Sequence, residues 1–216
     1  MTDLEAVDRL EAFIAQQRPA VSWTPVTDYS LEARRAIEGE HPRLICEVFQ
    51  PRCILDAGCG PEAHLVRLLR ECQPAQQSRL SVWGFDPQLP APGGYLYRCS
   101  FATFADHLPW PIGADLVICR EVLEHLPVLK IRQAVATLVE LTTCYVYVTT
   151  RFHSAADHML AVADHDDLDP THISLPTQAF LRLLFVLEGC RRRADLEARI
   201  DWQHKGRCLV YEKPAA

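Results

Sequence analysis

The run Ile54-Leu55-Asp56-Ala57-Gly58-Cys59-Gly60 constrains this chain more than any other stretch, because an apolar segment meets an acid and then two glycines one residue apart. An apolar strand that ends in a Gly-x-Gly turn, followed by a helical run predicted over 62–72, is how a parallel strand reverses and presents a helix N-terminus to a ligand. Backbone has to pass close to such a ligand, which a residue without a Cβ permits.

Gly58-Cys59-Gly60-Pro61-Glu62-Ala63 also satisfies the G-x-G-x-x-A pattern of dinucleotide sites. Charge separates the two readings. A pyrophosphate needs free N–H groups and no neighbouring anion. Here Asp56 and Glu62 flank the turn and Pro61 removes one donor. A cationic ligand fits better. S-adenosylmethionine carries a sulfonium and an ammonium and no phosphate, so an acid that would repel NAD attracts it. An NAD-linked oxidoreductase stays as a competing and disfavoured reading.

Downstream, Leu80 to Asp86 reads as a second strand ending in a carboxylate, from which an acid can accept both hydroxyls of a ribose. Ala114 to Cys119 reads as a further buried strand, followed by Arg120-Glu121-Val122-Leu123-Glu124-His125-Leu126-Pro127. Arg120 falls at that strand's carboxyl end. In an open α/β sheet this edge faces the ligand crevice, so the backbone of Arg120 and Glu121 is expected to line it.

With these blocks in order, the chain resembles the class I S-adenosylmethionine-dependent methyltransferases, in particular the small-molecule branch with a "VLEHL" motif after the fourth strand. The resemblance runs from about Arg52 to Leu141 and continues more weakly through Asp169 to Ser174 and Phe180 to Leu184. It implies S-adenosylmethionine as co-substrate, with Asp56, Gly58, Cys59, Gly60, Asp86 and Arg120 as cofactor contacts. Two departures stand out. Glu62 occupies the place of the family's usual third glycine. Phe104 stands where an adenine-binding acid is common, leaving Asp106 as the candidate adenine contact.

Glu121, Glu124 and His125 admit three readings. On a helix, residues 121 and 125 would share a face, so Glu121 could polarise His125 as a general base for a substrate hydroxyl or amine. In the bland reading they pack and cap the helix start, as this motif often does across the family. In the third, Glu121, Glu124, His125 and His172 resemble the divalent-metal site of small-RNA 2′-O-methyltransferases.

The 216 residues, 49% of them hydrophobic, suit one α/β domain. From Arg52 on, strands are expected at 52–57, 80–86, 95–99, 114–119 and 143–149, and helices at 62–72, 128–141 and 176–188. Strands at 191–201 and 207–213 would meet at His204-Lys205-Gly206 as an antiparallel hairpin. The fold class is therefore α/β: a Rossmann-like, doubly wound, seven-stranded, mostly parallel sheet with a C-terminal antiparallel hairpin. Residues 1–50 read as a helical cap on the core, and 51–216 as the S-adenosylmethionine-binding part of one domain overall. In the cap, Leu4, Val7, Leu10, Phe13 and Ile14 recur at helical spacing. Helices at 31–38 and from Pro42 follow, with Asp28 or Ser30 as a cap.

Net charge of −6 supplies no field for a nucleic-acid backbone or an anionic membrane, and no segment reaches membrane-spanning length. Arg191-Arg192-Arg193 reads as a solvated strand end. Nine cysteines without a C-x-x-C pair indicate unpaired thiols in a reducing, cytoplasmic compartment. The His- and Asp-rich segment 151–172 reads as a solvated connection or a lid over the acceptor. The leading expectation is methyl transfer to O, N or S of a small-molecule acceptor. The alternatives are a metal-assisted RNA 2′-O-methyltransferase and a catalytically silent binding module, the latter motivated by Glu62.

Overall fold

The computed structural model describes residues 31–72, 80–108, 113–152, 172–201 and 206–214, with side chains from residue 40 onward. The chain order is α1 (Leu31–Phe49), β1 (Cys53–Ala57), α2 (His64–Glu71), β2 (Ser81–Phe85), β3 (Leu96–Tyr97), α3 (Phe104–His107) and β4 (Ala114–Arg120). A 3-10 turn (Leu123–His125) leads to α4 (Val128–Leu141), β5 (Thr142–Thr149), α5 (Gln178–Leu187), β6 (Arg191–Arg192), α6 (Ala194–Ile200) and β7 (Cys208–Glu212).

The strands form one seven-stranded sheet in the order β3-β2-β1-β4-β5-β7-β6. β1 to β5 run parallel, and β7 is antiparallel to both β5 and β6. Strand alternation sends neighbouring residues to opposite layers. Leu55, Ala57, Val117, Cys119, Val146, Val148, Leu209 and Tyr211 join the core under α4 and α5. Ile54, Val82, Leu116, Ile118, Tyr147 and Val210 join the core under α1, α2 and α6. Both faces are covered, which is why the central strands are almost continuously apolar.

Three expectations change. The segment 31–49 is one helix with Pro42 inside it, where two had been expected. Pro42 has no N–H for the carbonyl four residues back. The turns that follow are held by Ile45, Cys46 and Phe49, buried against the sheet, so packing carries the helix on past the break. The predicted third strand, 95–99, shrinks to two residues. The strand expected over 191–201 is only Arg191–Arg192, and the rest is α6. Leu196 and Ile200, four apart, are both buried, which is a helical and not a strand spacing. Glu197 on the same helix is nearly buried. It accepts from Arg192 Nε at 2.8 Å and, at the bare edge of β7, from Val210 N at 3.2 Å.

Arg191 and Arg192 are the exposed edge strand β6, and Arg191, Arg192 and Arg193 each pair with a carboxylate, of Glu212, Glu197 and Asp195 respectively. All nine cysteines are unpaired. No described helix is long and apolar enough to cross a membrane. The expected helix around Leu4 to Ile14, the caps Asp28 and Ser30, most of 151–172 and the turn at His204-Lys205 lie outside the described residues.

Because Glu197 satisfies a strand-edge N–H as well as Arg192, Glu197→Ala should lower unfolding free energy by about 1–3 kcal/mol. Urea denaturation measures this, and an unchanged midpoint would show the contact to be a solvent-screened surface pair.

Candidate active site

β1 and β4 lie side by side with Asp56 opposite Ile118. Arg120, two residues beyond Ile118, therefore projects from the same face as Asp56. Both emerge at the carboxyl edge beneath α1 and α2, where they line a cavity of about 210 Å³ together with Gly58, Cys59, His64, Leu65, Leu68 and Glu121.

The turn after β1 fits the reading of its glycines. Gly58 has φ +82°, and a Cβ there would sit 2.6 Å from Val122 Cγ2. Gly58 N and Cys59 N both donate to Phe85 O, at 2.8 and 3.0 Å, which locks the turn onto the end of β2. Gly60 has φ +72°, yet a Cβ there would meet nothing within 4 Å. The turn is closed on its core side and open on its outer side. The chain enters α2 through Ala63, itself left-handed at φ 47°.

Asp86 follows β2 and is half-buried. Gly60 N donates to its Oδ2 at 3.0 Å, and Gln88 N donates to its Oδ1 at 2.7 Å. Each oxygen keeps an acceptor site, so the carboxylate fixes the glycine turn and can still take hydroxyls.

Asp56 is only 3% exposed. Burial raises its carboxyl to about 7; Arg120 opposes the rise and Asp86 adds to it. Burial, followed by the charges of Asp56 and Asp86, pushes the Cys59 thiol far up, so it lines the cavity as a neutral group and not as a nucleophile. Glu62 is exposed in its turn and lies off the cavity wall. Asp106 is exposed on α3, whose first residue, Phe104, is buried.

The reading of Glu121 and His125 as neighbours on one helix face is corrected. Glu121 is a bend residue with φ 50°, its N–H donating to Thr149 O at 2.8 Å, and only 123–125 form a single 3-10 turn. The strand's pairing with β5 carries one residue past β4, and the chain then has to turn sharply. That turn takes Glu121 out of helical geometry.

The structure instead brings Glu124, His125 and His172 together, with one donor atom of each within 4.8 Å of the others. The two imidazoles lie 4.9 Å apart between centroids. Ile173 N and Ser174 N donate to Glu124 O at 2.9 and 3.1 Å, tying the His172 segment to the 3-10 turn. The fully buried Glu124 carboxylate accepts from Thr150 Oγ1 at 2.7 Å and from Arg151 N at 3.3 Å. Burial, then the neighbouring Glu121 charge, drives its pKa upward.

Sequence reasoning missed the cavity wall on α2, namely His64, Leu65 and Leu68, and the role of Thr150. The position of His64 to Leu68 just after the glycine turn could have suggested the first group. Thr150 carries no local signal, because its partner is 26 residues away.

The methyltransferase-domain family matches residues 29–191. The chain belongs to that family, and its sheet is that of the class I S-adenosylmethionine-dependent methyltransferases. Among solved structures, an S-adenosylmethionine-dependent methyltransferase from Archaeoglobus fulgidus aligns with TM-score 0.57 and 14% identity over 83% of this chain and 94% of its own. The sugar N-methyltransferase KedS8 from Streptoalloteichus sp. ATCC 53650 gives 0.52 and 15% over 91% and 99%. An O-methyltransferase family protein from Burkholderia thailandensis gives 0.53 and 14% over 87% of this chain, which spans only 61% of that protein. No curated protein sequence matches significantly.

The two glycines should respond differently to a methyl group. Gly58→Ala meets both an unfavourable φ and the Val122 side chain, and should cost about 2–4 kcal/mol of stability. Gly60→Ala meets only the φ strain, about 1–2 kcal/mol. Urea unfolding of the two variants checks the order.

Proposed function

We propose that this chain transfers a methyl group from S-adenosylmethionine to an O, N or S atom of a small-molecule acceptor. The observation that carries this reading is the juxtaposition at one sheet edge of a buried acid, an open-sided glycine turn and a second acid anchored to that turn. When bound, the donor supplies a methyl carbon on a sulfonium that is already a good leaving group. The chain's task is then alignment in a dry cleft.

Asp86 accepts the ribose hydroxyls, and the N–H of Gly60, held by Asp86, keeps the turn in place beneath the nucleoside. Asp106 lies toward the adenine end. Asp56 balances the donor's positive charge. Where the nucleophile must lose a proton, His125 takes it, with the Glu124 carboxylate as its neighbour in place of Glu121. Glu62, the feature that motivated a silent module, lies off the cavity wall, which favours the enzymatic reading. Nine unpaired thiols fit a reducing compartment such as the cytoplasm.

A second reading is favoured by one observation, the gathering of Glu124, His125 and His172. In it, these residues and Glu121 hold a divalent ion, and the acceptor is a hydroxyl such as an RNA 2′-OH. Glu124, His125 and His172 would hold it through one carboxylate oxygen and two imidazole nitrogens, all within 4.8 Å of one another. An ion there would make a bound hydroxyl more acidic. The chain's net charge of −6 weighs against a nucleic-acid acceptor.

Asp56 supplies the first test. Its carboxyl sits near 7 in the free protein, above the usual 3.8, and a cation favours the ionised form, so donor binding expels a proton. Affinity measured by calorimetry should rise by up to about tenfold per unit between pH 5.5 and 7 and flatten above. Asp56→Asn should bind more weakly with no such slope, and a wild-type affinity independent of pH would contradict the role given to Asp56. For the metal reading, Mn²⁺ at a hundredfold excess over Kd should stabilise the protein by about 2.7 kcal/mol. That gain should vanish in His172→Ala; no stabilisation of the wild type would remove the reading.

A further inference from the structure

A second and larger cavity, of about 610 Å³, lies on the far flank of the sheet beside β7. Its size falls within the ~300–1,000 Å³ of sites that enclose a small ligand. The shortness of β6 creates it. Pairing of β6 with β7 ends at Arg192 and Tyr211, and the groove follows the bare stretch of β7 back to Cys208. Ala194, Glu197, Ala198 and Asp201 recur at helical spacing and form the wall along α6, facing Gln178 at the start of α5. Cys208 is opposite Thr149, itself opposite Arg120, so the groove starts two strand spacings, about 10 Å, from the end of β4. The helix α1, packed against both α2 and α6, stands between it and the donor cavity.

The lining sets what can enter. Ala194, Ala198 and Gly206 leave the space open, and two carboxylates face one guanidinium among the described lining residues. Glu197 is engaged by Arg192 and by the Val210 N–H. Asp201 is held in place by Gly206 N, which donates to its Oδ2 at 2.7 Å, and by the Cys208 thiol, which donates to its Oδ1 at 3.8 Å. Burial pushes that thiol up to about 12, so it stays a neutral donor. A carboxylate has about four acceptor places, so Asp201 can take a further donor. Next to the Arg192–Glu197 pair, the fully buried Tyr211 hydroxyl has no hydrogen-bond partner among the described residues and feels the charges of both.

We infer that this groove is a second ligand site, separate from the donor cavity, for a small amine that also carries a hydroxyl. The ammonium pairs with Asp201, and the hydroxyl lies toward the Arg192–Glu197 end. An anion would meet the excess carboxylate unfavourably, and a wholly apolar ligand would strip water from these groups without replacing its hydrogen bonds. The inference stands apart from the donor assignment, since it uses none of the residues of the glycine turn.

The test compares charge at constant shape. The full chain, without S-adenosylmethionine, is titrated with aminopentanol, pentanediol and hydroxypentanoate, each with its polar groups at the two ends, and binding is followed by amide NMR shifts. Wild type should bind aminopentanol about fivefold to tenfold more tightly than pentanediol, as for a partly exposed charge-assisted pair, and hydroxypentanoate more weakly than either. The shifts should centre on Ala198 and Gly206. Asp201→Asn keeps an acceptor for the Gly206 N–H and should bring the amine and the diol to within about twofold of each other. Ala198→Leu fills the groove without changing its charge and should weaken the amine and the diol alike. Equal wild-type affinity for the amine and the diol overturns the inference. So does an Asp201→Asn protein with the wild-type preference, an Ala198→Leu protein with wild-type affinity, or a set of shifts that misses Gly206.

Discussion

A carboxylate buried at the end of the first strand is the constraint around which the rest is arranged. Asp56 is almost fully covered, and among the described residues no guanidinium reaches ion-pair distance of it, so its charged form is costly in the free protein. Its side chain lies in the layer that also contains Ile54 and Ile118, and faces the cavity instead of solvent. Such a group is stable either protonated or beside a cation. A ligand that brings a positive charge resolves the conflict, which turns an unfavourable burial into selectivity for that ligand.

The second buried acid works differently. Glu124 has donors from Thr150 and Arg151, and its own carbonyl holds the His172 segment through two N–H groups. It is a structural junction between the 3-10 turn, the end of β5 and the segment before α5. Any chemistry at His125 and His172 depends on that junction, because it sets how the two imidazoles face each other. The two acids lie at different parts of the sheet edge, Asp56 at the end of β1 and Glu124 beyond β4, beside the end of β5.

Much of this was legible in the residues. The Ile54–Gly60 run, the acid after Phe85 and the apolar block ending at Arg120 are local signals, and each landed within a residue or two of its element. The alternation of Leu116, Ile118 and Arg120 even foretells which face the arginine occupies once β1 and β4 are paired. Other features were not legible. Glu121 looks helical by spacing, but the pairing of Arg120 with Thr149 continues to its own N–H and forces a left-handed bend. Residues 194–200 read as strand because a hairpin was expected, yet Leu196 and Ile200 find their burial on a helix. The bond of Thr150 to Glu124, and that of His41 to Tyr147, are products of long-range packing that no window of sequence contains.

The measurement that bears most directly on this account is a crystal structure with S-adenosylhomocysteine bound. The expected result has both ribose hydroxyls on the Asp86 carboxylate and the nucleoside over the open side of Gly60. A product lying elsewhere on the sheet edge, or a ribose with no contact to Asp86, would contradict it.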